Sequence, residues 1–130
     1  MKIKSLIVLL ALGLSACTGG KYAGVPNKYN ELISQTMQTA GDNAKELKKA
    51  LKQAPTTQRE GMAFLISYMP ERDAKSLTAD FLLENVAYAY KARNEFPWAK
   101  EVPNDIFLND VVAYVNLNEK RENWRKDFYE

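Results

Sequence analysis

Apolar side chains recur at helical spacing along most of this chain, and prolines cut that pattern into short lengths. After Asn27, a residue suited to the N-cap, Tyr29, Leu32, Ile33, Thr36, Met37 and Ala40 fall at i, i+3, i+4, i+7, i+8 and i+11. Gly41-Asp42-Asn43 punctuates, and Asn43 with Glu46 has the spacing of a capping box. A second helix is expected to Ala54, before Pro55, with Ala44, Leu47, Leu51 and Ala54 facing inward. Thr57 and Glu60 repeat the capping-box spacing before a third helix. Its Met62, Phe64, Leu65, Ile66, Tyr68 and Met69 are apolar nearly all round, so it should be central. Met69-Pro70 ends it, because the residue before a proline avoids helical geometry, and Glu71-Arg72-Asp73 is expected to be an exposed charged turn.

A fourth helix, the longest, is expected from Leu77 or Thr78 to about Asn94, with Phe81, Leu82, Asn85, Val86, Ala89 and Tyr90 on one face. Asn85 is the polar member of that face, available to a partner's backbone or to a loop of its own domain. Pro97 then breaks the chain between Phe96 and Trp98, and Pro103 suits the first turn of a fifth helix carrying Ile106, Phe107, Val111 and Tyr114. Asn116-Leu117-Asn118 reads as a turn before a last helix starting near Glu119, with Trp124 and Phe128 one turn apart. The expected fold is all-α, a small bundle of about five to six helices.

The first seventeen residues obey a different rule. Lys2 and Lys4 precede an apolar run, Leu6 to Leu14, that is too short to span a bilayer core needing roughly 20 apolar residues. Leu14-Ser15-Ala16-Cys17 has the form of a lipobox, so residues 1–16 are expected to be a cleaved lipoprotein signal peptide, cut between Ala16 and Cys17. Cys17 would carry the acyl chains, which at about 0.8 kcal/mol per buried CH₂ anchor the chain to membrane lipid. Residues 17–27, rich in Gly and small polar side chains, are expected to be a flexible lipidated tether, leaving 28–130 as the helical domain. Thr18 is not the aspartate that retains lipoproteins at an inner membrane, so the expected site is the outer membrane, facing the periplasm.

Loss of Lys2 and Lys4 leaves 16 charges of each sign, which gives no general basic field for nucleic acid. Lys45, Lys48, Lys49 and Lys52 do share one side of the second helix, as a solvated face or as a contact for anionic headgroups. The chain has no histidine, and its one cysteine is the acylation site. Imidazole relays and zinc sites of His and Cys are therefore excluded. No disulfide can form within the chain, so the domain holds together by packing. No calcium loop, Gly-rich phosphate loop or nucleophile elbow occurs, and the chain alone is read as non-catalytic, with no cofactor and no metal. The methionines of the third helix read as core. Trp and Tyr faces suit sugar rings, and the same aromatics at helix ends also suit packing.

Phe64-Leu65-Ile66-Ser67-Tyr68-Met69-Pro70, Asp80 to Val86, Phe96-Pro97-Trp98, Val102-Pro103-Asn104-Asp105-Ile106-Phe107, Asn118-Glu119 and Trp124 to Tyr129 follow one another over residues 60–130. Together they resemble the helical region preceding the catalytic core of bacterial transglutaminase-like, papain-fold lipoproteins. In that family the Cys, His and Asp of the triad lie further downstream. No residue here matches them, so no catalytic residue carries over, and the resemblance implies the front part of a longer protein or a shortened relative. It also implies that Trp98, Phe107, Trp124 and Phe128 form an interdomain surface, with Arg125 pairing to a core carboxylate. The alternative is a complete extracytoplasmic binding module for a glycan or protein partner.

Overall fold

The computed structural model describes residues 21–115 and 120–129. The expected signal peptide, with Ala16 and Cys17, and the expected turn at 116–118 lie outside them. The described residues form a small all-α bundle.

α1 (Asn30–Ala40) follows a tight 3-10 turn and buries Ile33, Met37 and Ala40 together with Tyr29 just before it, the stripe that the spacing predicts. Gly41 stops it with φ +55°, a conformation that glycine adopts without a Cβ clash. α2 (Ala44–Gln53) buries Leu47, Ala50 and Leu51 and ends ahead of Pro55. α3 (Arg59–Tyr68) is central as expected: it buries Met62, Ala63, Leu65 and Ile66 and touches α1, α2 and the long helix Ala79–Glu95. Fully burying such a Leu, Ile or Met side chain contributes about 2 kcal/mol.

α5 (Ala79–Glu95) is the longest helix. Thr78 caps it, its hydroxyl accepting from the Phe81 amide at 3.2 Å. Leu82, Asn85, Val86 and Ala89 are buried, with Phe81 and Tyr90 packed beside them. Between α3 and α5 lies one further turn, α4 (Glu71–Ala74). After α5 come α6 (Pro97–Lys100), α7 (Asn104–Ile106), a π turn at Phe107–Val111 continuing α7, and α8 (Trp124–Tyr129), which starts five residues later than the spacing implies.

The two capping boxes do not form, and Asn43, Glu46 and Glu60 are instead taken by more distant parts of the chain. Asn43 donates to the carbonyls of Ala74 and Leu77, each at 2.9 Å, and Glu46 accepts from the Ala79 amide at 2.9 Å. They cap the junction between α4 and α5 from the start of α2. Glu60 pairs with Lys28 at 3.3 Å and accepts from Asn104.

The stretch read as a tether is fastened well before residue 28. Tyr22 and Val25 close a turn with a 3.1 Å hydrogen bond and pack on the core, and Arg59 donates to the Ala23 carbonyl at 2.6 Å. Apolar side chains in a Gly-rich segment are enough to dock it, which composition alone did not register.

Candidate functional site

The C-terminal helix is the part the sequence assigned to a partner, and its attachments define what is left exposed. Six residues cannot sustain a helix in water, so α8 depends on what holds it. Arg125 does most of this. Its Nε donates to Asn85 Oδ1 at 2.8 Å, its Nη2 donates to the carbonyls of Ala113 at 2.7 Å and of Val111, and its guanidinium lies 4.4 Å from the Trp124 ring centre. Asn85 in turn donates to the Val112 carbonyl at 2.7 Å. One buried amide on α5 thus ties down both the π turn and α8, which settles its role as a loop-holding residue of its own domain. Burial pushes the Arg125 guanidinium down to about 10, which leaves it a cation at neutral pH. Its Nε and Nη2 donors go to this domain's own oxygens, where the resemblance implied a carboxylate of another domain. A desolvated guanidinium takes whichever acceptors are already fixed around it.

A second anchor surrounds Asp73. Only 1% exposed, it accepts from the Tyr114 hydroxyl at 2.9 Å and from Arg121 Nε at 3.0 Å and Nη2 at 2.9 Å. The expected exposed turn is therefore wrong at this position. Ala74 and Leu77 are buried, and the Leu77 amide donates to the Asp73 carbonyl at 2.9 Å, so the turn that seats Leu77 carries the carboxylate in with it. Burial raises the Tyr114 hydroxyl above its ordinary value, and donation to Asp73 raises it further. Arg121 is raised by its hydrogen bond to Asp73. Arg121, with the exposed Arg72 guanidinium 3.7 Å away, offsets the carboxylate's charge, and the set fastens Tyr114 and Arg121 to α4. Beside it runs an open, mainly apolar groove of about 360 Å³ lined by Phe64, Tyr68, Met69, Pro70, Tyr114 and Arg121 among others.

Of the four aromatics assigned to a surface, the structure exposes three. Trp98 is 68% exposed and stacks on Phe96, ring centres 6.0 Å apart and planes 24° from parallel. Trp124 is 38% and Phe128 84% exposed, edge to face at 6.2 Å. Phe107 is the exception and the correction: at 1% exposure it is core, edge-on to Tyr90 at 5.0 Å with the Arg93 guanidinium 4.2 Å from its ring centre. Its neighbours Leu108 and Val112 are buried with it, as the π turn directs all three inward. Among the described residues no ring contact links the Phe96–Trp98 pair to the Trp124–Phe128 pair. The two sites are carried by α6 and α8, both of which pack on α5.

Asp73 and Arg121 are the residues that sequence reasoning missed. The spacing of Asp73 to Leu77 was a usable signal, whereas nothing local distinguishes Arg121 from its charged neighbours. Among the described residues no group of three or more His, Cys, Asp or Glu side chains could hold a metal ion, and no helix is long and apolar enough to cross a membrane. The exposed aromatic pairs and the apolar groove offer stacking and apolar contact. In comparisons with known proteins, no family model matches the chain, and no curated protein or solved structure matches it either. The transglutaminase-like resemblance rests on the ordered residues quoted above.

Proposed function

We propose that this chain is a lipid-anchored lipoprotein of the bacterial cell envelope whose helical domain acts by holding a partner, without catalytic residues of its own. The lipobox ending at Cys17 supports the anchor. The observation that carries the docking role is Trp98, a large ring left 68% exposed on a corner fixed by Pro97 and by its stack with Phe96. Rigid aromatic side chains supply contact area at little entropic cost, which is why interfaces favour them. With the resemblance to transglutaminase-like lipoproteins, the partner is a papain-fold domain, and the exposed Trp98, Trp124 and Phe128 are its contact points. A glycan partner is the second reading, favoured by the near-parallel Phe96–Trp98 stack, whose outer tryptophan face is free of ring partners among the described residues.

Growth of the producing bacterium with labelled palmitate tests the anchor: label enters the wild-type chain and is lost from Cys17→Ser. Equal labelling of both removes the lipoprotein reading. The DNA after codon 130 tests the rest. An open frame supplying Cys, His and Asp supports the papain-fold partner, and glycan-array binding abolished by Trp98→Ala supports the module.

A further inference from the structure

The lysines of α2 do not form one uniform solvated face. Lys49 is paired with Asp80 at 3.0 Å on α5. Lys48 and Lys52, one turn apart, instead border an open concavity of about 340 Å³ whose other walls include Lys21, Tyr22, Leu51 and Arg59. Lys21 reaches it from the start of the docked segment, with its ammonium 2.9 Å from Ser34 Oγ on α1. Arg59 reaches it from α3, donating to the carbonyls of Ala54, Ala23 and Lys52 and so clamping the N-terminal segment to the end of α2. Gly24 makes that clamp possible: φ is +76°, and a Cβ there would meet Arg59 Cδ at 3.2 Å. Four cations from three parts of the chain therefore converge on one hollow. No carboxylate lines it, and among the described residues none of the four forms an ion pair.

The position of this hollow on the chain says what faces it. Lys21 is four residues after Cys17, and four residues fully extended reach about 14 Å. Since Tyr22 and Val25 are already packed on the core, no longer slack is available to carry the hollow away from the acyl chains. We propose that the concavity formed by Lys21, Lys48, Lys52 and Arg59 takes the phosphate headgroup of an anionic phospholipid in the membrane that holds Cys17, and so fixes the domain's orientation on the lipid surface. The proposal rests on the lipid-anchored reading above. Convergent cations supply the charge complementarity, and the short connection supplies the effective concentration. Trp98 on α6 lies beyond the other end of the 17-residue α5 from the Lys49–Asp80 pair, about 25 Å along that helix.

The test uses the mature acylated chain in vesicles. Because Cys17 is acylated and is the sole native cysteine, Gln53→Cys provides a single thiol for a fluorophore beside the hollow. Its quenching by nitroxide-headgroup lipid is compared in phosphatidylcholine vesicles with and without phosphatidylglycerol. Phosphatidylglycerol is expected to increase quenching, and high salt to reverse it. Each of Lys21→Gln, Lys48→Gln and Lys52→Gln should lower the docked-to-undocked ratio about fivefold, and the triple variant about a hundredfold. Lys100→Gln, on α6, should change nothing. Equal quenching with and without phosphatidylglycerol, or in the triple variant and wild type, overturns the headgroup site. Complete loss of the phosphatidylglycerol-dependent quenching at inorganic phosphate far below the local lipid concentration, at constant ionic strength, makes free phosphate the preferred occupant and overturns the lipid. Failure of the wild-type chain to float with vesicles, with no palmitate on Cys17, overturns instead the anchored reading beneath it.

Discussion

Arg125→Met removes the guanidinium that fastens α8 while keeping an unbranched apolar stem of similar length. Three oxygens lose a donor: Asn85 Oδ1 and the carbonyls of Val111 and Ala113. Asn85 is the costly one, since it is buried and water does not reach it readily. A buried acceptor left unmade costs about 1–3 kcal/mol, and the two carbonyls, nearer solvent and with two lone pairs each, cost less. A total of about 3 kcal/mol follows, against a domain stability on the order of 5–15 kcal/mol. That amount corresponds to roughly a hundredfold in the opening equilibrium of α8. The two tryptophans give an internal control. The Trp124 indole N–H donates to the Tyr114 carbonyl at 3.2 Å, whereas Trp98 is largely exposed. Hydrogen exchange followed by NMR should show the Trp124 indole proton accelerating about a hundredfold in Arg125→Met, with the Trp98 proton unchanged and urea stability lowered by about 3 kcal/mol. An unaltered Trp124 exchange rate, with stability within about 0.5 kcal/mol of wild type, would refute the idea that Arg125 holds α8.

Phe107→Ala should cost about 3–5 kcal/mol in urea unfolding, because the ring is wholly enclosed, while Trp98→Ala should stay within about 0.5 kcal/mol; similar losses at both sites would contradict the burial pattern. Gly61→Ala, which in an ordinary helix gains up to about 1 kcal/mol, should here lose about 1–3 kcal/mol. Its Cβ would stand 2.8 Å from Tyr90 Cε2, a ring pinned against Phe107, and Tyr90→Leu in the same chain should restore most of the loss. Alkaline titration should find Tyr114 protonated beyond pH 10, because burial and donation to Asp73 raise its folded value above the unfolded one. The unfolded chain then releases its proton first, so this contribution to stability is complete below pH 10 and is lost as pH rises above it. Tyr114→Phe should remove that component of the pH dependence, read from tyrosinate absorbance and from urea midpoints.

The helical bundle was legible because its signals are local. The stripe from Tyr29 to Ala40, the all-round apolar α3, the Thr78 cap and the breaks before Pro55 and Pro70 each depend on residues within a turn or two of one another. The capping boxes show where that logic stops. Asn43 and Glu46 have the right types and spacing for a local cap, yet carbonyls and an amide more than thirty residues away take their hydrogen bonds. Either set of bonds satisfies the side chains equally well. The packing of α2 against α5 decides between them.

The same division applies to the surface. Sequence alone determined the helical periodicity, the absence of any imidazole and the Leu14-Ser15-Ala16-Cys17 pattern, since these are properties of composition and short spacing. Tertiary structure decided which charged and aromatic residues face outward. Asp73 went inside with Leu77, Phe107 went inside with the π turn, and Arg125 turned to its own domain's carbonyls. Lys21, Lys48, Lys52 and Arg59, dispersed over 39 positions, came together at one hollow. Periodicity identifies the face of a helix, but the neighbour that covers the face, and the charge that meets another across it, depend on contacts that sequence spacing does not encode.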